Sequence, residues 1–228
     1  MGGVASVWKI IKQNIEKAEW FDVLDLIEVI VKRLDDPDNV RPKRLAPTLI
    51  EYLNNVFEQY LVGYRFIGNE TTPIASRIDV TAIEEALKQS QDFAGAQHHL
   101  DQAISLLSDR QAPDYANSIK ESISAVEAIV RTFSTGKTLG DGLNKLETVG
   151  LTIHPALKGA WQKMYGWTSD EPGVRHGGND AAGTDQSLAK YMVVACSAFV
   201  SYLIEEANKK ELLHNATGHV ESGNQAGA

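Results

Sequence analysis

Apolar positions recur at helical spacing along most of the chain. In residues 4–34, Val7, Ile10, Ile11 and Ile15 form one set and Leu24, Ile27, Val31 and Leu34 another. Both predict helix, with Trp20-Phe21-Asp22 between them as either a break or a buried bulky pair. Pro37 and Pro42 punctuate the polar stretch 35–42 and stop regular helix. A further helix over 46–62 carries Leu49, Tyr52, Leu53, Val56, Phe57 and Tyr60 on one broad face. The pattern then changes. Gly63-Tyr-Arg-Phe-Ile-Gly68 and the residues to Pro73 are short, aromatic and glycine-bounded, which predicts a β-hairpin or extended excursion near residues 63–74. Asp79 opens a short helix to about Gln89.

The second half reads as a helical bundle. Phe93, Ala96, Leu100, Ala103 and Leu107 step by three and four, and Asp109 to Pro113 breaks that helix. Pro113 suits the first position of the next one. There Ile119, Ile123, Val126, Val130 and Phe133 make an amphipathic stripe. Thr138-Leu-Gly-Asp141 resembles a capping box, and Gly150 ends the short helix it starts. His154-Pro155 begins a helix to about Tyr165, and a glycine-rich polar loop spans Thr168 to Thr184. The last long helix, from about Asp185 to Asn208, is apolar on two sides and so belongs at the centre of the bundle. The expected organisation is an N-terminal helical region over 1–90, a bundle over 91–208 and a tail over 209–228.

Composition narrows the class. With 43% hydrophobic and 23% charged residues, the 228-residue chain is of ordinary globular make-up, and its bulk is not disordered. The single cysteine, Cys196, excludes a disulfide framework and a Cys-rich zinc site, and it fits a reducing cytoplasm. No run of 18 uncharged apolar residues predicts a membrane span. A net charge of −8 argues against a broad, non-specific nucleic-acid binder while leaving room for a local basic pocket.

The chemistry concentrates between Tyr165 and Asp180. Arg175 and His176 stand side by side, followed by two glycines that let a ligand or backbone approach closely. Arg offers phosphate a planar fork of donors, and His exchanges a proton near neutral pH. Together they suffice for phosphodiester chemistry without a metal: His takes the proton of a ribose 2′-OH and Arg stabilises the phosphorane. The alternative is structural. Arg175 then pairs with Asp170 or Glu171, and His176 satisfies a carbonyl or caps the last helix. Elsewhere, His98-His99 point about 100° apart on a helix and make a poor chelate. Arg65, Arg77 and Arg110 suit phosphate or acidic neighbours equally. Trp161, Tyr165 and Trp167 suit either core packing or base stacking.

Several stretches resemble one prokaryotic family. These are Gly63-Tyr-Arg-Phe-Ile, Leu107-Ser-Asp-Arg110 with Pro113-Asp-Tyr, Asn117-Ser-Ile-Lys-Glu-Ser-Ile-Ser-Ala-Val-Glu127, Ile153-His-Pro-Ala-Leu157, and Tyr165-Gly-Trp-Thr-Ser-Asp170 running on to Val174-Arg-His-Gly177. Together they resemble the abortive-infection AbiJ-type N-terminal domain of the HEPN superfamily, over roughly residues 40–205, with little of the signal in the first 35. The resemblance implies an all-α, HEPN-like helical bundle, often dimeric, and in many members a ribonuclease acting in phage defence or toxin–antitoxin pairs. The family motif is an Arg, a polar residue, and usually a His four to six residues after the Arg. Arg175 and His176 match the first two positions. The third falls at Asn179, Asp180 or Ala181, none of which is His. Either His176 does the work itself, or the domain binds RNA, a nucleotide or a protein without cutting.

Members of the family often set an acidic residue from an earlier helix against the motif Arg. Glu127, beside the apolar stripe, and Glu121, on a more solvated face, are the candidates. The catalytic set implied is thus Arg175, His176, Glu127 and Glu121, with Asn179, Asp180, Lys120 and Asp170 holding substrate. The resemblance further implies no metal or cofactor, RNA (tRNA or mRNA) as substrate, a homodimer, and an antitoxin or phage-derived trigger, all in the cytoplasm and away from membranes.

Overall fold

Nine α-helices form among the residues that a computed structural model describes, 4–38, 44–170 and 184–212, and the apolar stripes of the long bundle helices become inner faces. The expected all-α fold with one small β excursion is what the chain adopts. It divides between Ala75 and Ser76 into two units.

The first unit holds α1 (Val4–Ile15), α2 (Trp20–Asp35), α3 (Leu45–Gln59) and a hairpin of β1 (Arg65–Ile67) and β2 (Glu70–Thr72). Helix over 4–34 is interrupted just before Trp20, where the amides of Lys17 and Ala18 fold back on Asn14 O at 3.2 and 3.0 Å. Trp20 then starts α2 and lies 5.6 Å from the Tyr64 ring. Leu24 and Val31 of α2 meet Phe57 of α3 and Phe66 of β1 in a small core.

Three-residue strands are marginal alone, and two helices hold this hairpin. Its register sets Phe66 opposite Thr71, between the flanking pairs Arg65–Thr72 and Ile67–Glu70. Alternate residues of an antiparallel pair turn their backbone groups outward. Asn54 of α3 meets those of Phe66, accepting from its N–H at 2.7 Å and donating to its carbonyl at 3.1 Å. Glu28 of α2 accepts from the Thr71 N–H at 2.8 Å and from its hydroxyl at 2.5 Å. Gly68 makes the turn at φ +57°, where a β-carbon is unfavourable. Arg65 is buried, and its guanidinium donates to the carbonyls of Val62 and Tyr64 at 2.7 Å each. It therefore braces its own loop rather than reaching for phosphate.

The second unit holds α4 (Arg77–Gln89), α5 (Ala94–Ser108), α6 (Tyr115–Phe133), α7 (Leu139–Lys145), α8 (Pro155–Asp170) and α9 (Gln186–Lys209). α4 packs on α9, and Gln89 Nε2 donates to Glu205 Oε1 at 3.1 Å. The division therefore falls ahead of α4, whereas the sequence suggested one near residue 90. α6 packs against α5, α7, α8 and α9 and is buried along most of its length. Its first residue is Tyr115 rather than Pro113, because Asp114 is the cap, accepting from Asn117 N–H at 3.0 Å. α8 runs five residues past its expected end at Tyr165, and Thr168, fully buried, returns its hydroxyl to Tyr165 O at 2.8 Å. Thr138 caps α7 as expected, and Gly150 closes the following turn at φ +87°. α9 is long and apolar enough by composition to cross a membrane, yet 56% of its apolar window lies buried inside the bundle, as in a core helix.

Replacing Asn54 with Ala should destabilise the first unit by about 2 kcal/mol, because both outward groups of Phe66 lose their partner in a part-buried site. Urea unfolding read by tryptophan fluorescence measures it; a loss under about 0.5 kcal/mol would show that water replaces the side chain at little cost.

Gly136 is a close-approach glycine. A β-carbon there would lie 2.2 Å from the Gly142 nitrogen and 2.3 Å from its α-carbon. Gly136→Ala should therefore force the α6–α7 connection apart and cost about 1–3 kcal/mol or more. Unfolding of this variant within experimental error of wild type would contradict that packing.

Candidate functional site

α8 and α9 are joined by the segment that carries the candidate chemistry. Arg175, His176, Asn179 and Asp180 lie outside the described residues. Asp170 ends α8, and its side chain also lies outside them. The described part of the site is the frame. α6 touches both α8 and α9, so one buried helix backs the two elements between which Arg175 and His176 are strung.

Glu127 sits on that helix. Its neighbours along the stripe, Ile123 and Val130, are fully buried, and Glu127 itself is 7% exposed. A carboxylate so placed requires compensation. Arg131, one turn on, donates from Nη2 to Oε2 at 3.4 Å with its own side chain more than half exposed. The contact is long for a charged pair. The sequence carried this partnership as a Glu–Arg pair at i, i+4 spacing, a signal the stripe analysis passed over.

Glu121 is half-buried rather than on a solvated face, with Oε2 2.6 Å from His99 Nδ1. The cause is the antiparallel course of α5 along α6. Phe93 meets Phe133 with ring centres 6.1 Å apart, and Ser118 donates its hydroxyl to Ala103 O at 2.7 Å. That register brings His99 over Glu121. Glu121 and Glu127 are separated by about 120° around the helix. They look toward different neighbours and do not form one carboxylate pair. Lys120 is half-buried beside Glu121. His99 is thus a satisfied histidine, and its Nδ1 is already engaged.

The flanks of the segment are firmly set. At its far end Asp185 caps α9, accepting from Leu188 N–H at 2.8 Å and from the Ser187 hydroxyl at 2.8 Å. These bonds, the one from Leu188 first, hold its carboxyl below the usual range. At the near end Trp161 stacks on Phe199 of α9 with ring centres 4.0 Å apart and 12° between planes. Trp161 is therefore a core residue, whereas Tyr165 and Trp167 stay half-buried. His154 accepts from Ala156 N–H at 3.2 Å, as a residue starting α8 should. Cys196 is fully buried, and burial pushes its thiol pKa far up, which leaves it unreactive.

Comparison with known families gives a match over residues 4–89 to AbiJ N-terminal domain 4. This part of the chain is similar to the N-terminal domain of AbiJ-type abortive-infection proteins. The match takes in the first unit and α4, including the opening residues in which the sequence analysis found little signal. The Asn117–Glu127 block and the Arg175-His176 segment lie beyond it. Neither the curated proteins nor the solved structures give a match to the chain.

Because the folded-state pKa of Asp185 is lowered, its cap stabilises the start of α9 above the ordinary carboxylate range. That contribution is lost as the pH falls through the lowered value. Amide exchange at Leu188 should accordingly be faster in Asp185→Ala than in wild type at neutral pH, and the two should converge once the carboxyl is protonated. An equal difference at both pH values would assign the protection to something other than the charged cap.

Proposed function

We infer that the chain is an abortive-infection protein whose second unit is a HEPN-type bundle with metal-independent endoribonuclease activity. The AbiJ-type match over residues 4–89 supports the biological setting. The observation that carries the chemistry is the buried Glu127 on α6, the helix packed against both α8 and α9. A guanidinium from the segment joining those helices would be a fitting partner for a carboxylate buried there. Arg175 fits that role by type and by place in the chain.

In this reading Glu127 orients Arg175, which holds the scissile phosphate and stabilises the added negative charge of the phosphorane. His176 removes the proton from the ribose 2′-OH. The freed oxygen attacks the adjacent phosphorus, the 5′-oxygen leaves with a proton, and one product ends in a 2′,3′-cyclic phosphate. Asn179, Asp180, Lys120 and Asp170 hold the RNA strand. Glu121, tied to His99, serves the bundle rather than the reaction. A homodimer would set two Arg-His segments in one cleft and raise the local positive potential of an acidic protein. The protein acts in the cytoplasm on tRNA or mRNA, released by a phage-derived trigger or loss of an antitoxin.

The absence of His at 179–181 favours a second reading, a HEPN-type module that binds RNA, a nucleotide or a protein without cutting. One experiment separates the two. The purified chain is incubated with end-labelled RNA in the presence of a chelator, and the same variants are induced in growing, phage-infected cells. Cleavage to cyclic-phosphate ends should fall roughly 10²- to 10⁴-fold in His176→Ala and comparably in Arg175→Ala, with a smaller loss in Glu127→Gln. RNA that is bound but intact in every case, with growth unaffected by infection, would replace the enzyme by the binding module.

A further inference from the structure

α2 is apolar on two opposite faces. Leu24, Ile27 and Val31 face the core of the first unit. On the other side Leu26, Val29 and Ile30 are exposed, Val29 at 63%. A helix apolar all round is normally covered on both sides. The outer face is also framed by charge. Asp22 and Arg33 lie on the same line as Leu26 and Val29, about three helical turns apart, one at each end of the strip. The spacing Asp22, Leu26, Val29, Arg33 runs by four, three and four, which is the seam of a coiled coil. Arg33 meets Asp36 at 3.2 Å with 79% of its side chain exposed.

This strip is complementary to itself in one orientation only. With α2 helices antiparallel about a two-fold axis between Ile27 and Glu28, Asp22 faces Arg33 of the second copy and Leu26 faces its Val29. A parallel pairing would set Asp22 on Asp22 and Arg33 on Arg33. Closed two-fold pairing through one shared patch is the commonest form of oligomer.

We propose that the first unit pairs with a second copy of this chain through the outer face of α2, antiparallel and bordered by two Asp22–Arg33 ion pairs. The surface specifies how a homodimer forms. It stands apart from the cleavage reading, because its readout is mass rather than RNA.

The test is the molar mass of the full chain by sedimentation equilibrium over a concentration series. Wild type should be a dimer. Asp22→Arg or Arg33→Asp alone should weaken it at least tenfold, and the double exchange, which restores opposite charges across the axis, should recover wild-type affinity. Val29→Glu should give a monomer whose circular dichroism matches wild type. Arg175→Ala should leave the mass unchanged. A monomeric wild type overturns the proposal. So does a dimer insensitive to Val29→Glu and both charge reversals. Co-sedimentation of the wild type with phosphatidylglycerol vesicles, lost in Val29→Glu, while the free chain stays monomeric, would make the face a lipid-binding one and overturn it equally.

Discussion

The burial of α6 sets the terms for the rest of the second unit. A helix enclosed by α5, α7, α8 and α9 can keep polar side chains only where a neighbour answers them. Ser118 gives its hydroxyl to α5, Ser122 returns its own to the preceding turn, Glu121 takes His99, and Glu127 takes Arg131. Two of these bonds cross to α5 and so fix how the helices slide past one another. An apolar stripe alone would allow several registers of similar energy. The polar members choose one, and in doing so set where Glu127 stands relative to α8 and α9.

The first unit is organised differently. Its core is small, with four buried residues at its centre and several half-buried ones around them. A unit of this size covers a smaller fraction of its apolar surface than a larger one. α1 and α2 leave large apolar side chains in the open, whereas α6 and α9 leave few. The AbiJ-type match falls on this unit and runs into α4, so the family signature covers the least enclosed part of the chain together with a helix that packs on α9.

Periodicity made the long helices legible. α5 and α6 bury the stripes that the sequence marks, α9 is enclosed as its two apolar sides require, and the glycine-bounded aromatic run forms a hairpin. What the pattern missed is local or distant. The break at Glu16–Glu19 has no proline or glycine to mark it, and apolar spacing resumes directly after it. The true cap of α6 is Asp114, one residue beyond the more conspicuous Pro113. α4 declares its partner only through Gln89 and Glu205, far apart in sequence. The candidate site divides in the same way. Glu127 was legible as a buried carboxylate because it borders the stripe, whereas the engagement of Glu121 depends on which α5 residue crosses α6 at that level. Arg175 and His176 were read by residue type and resemblance, and they lie outside the described residues.

The hold of Asn54 and Glu28 on the hairpin has a consequence for the chain among its neighbours. Short strands at a surface normally offer backbone groups to any extended peptide that passes, the first step of strand addition and of aggregation. Here the outward amide and carbonyl of Phe66 and the outward amide of Thr71 are occupied from within the same unit. The sheet is thereby finished at two strands. An incoming chain would have to displace helix side chains before it could pair at those positions, so the protein carries β-structure without offering it as a template.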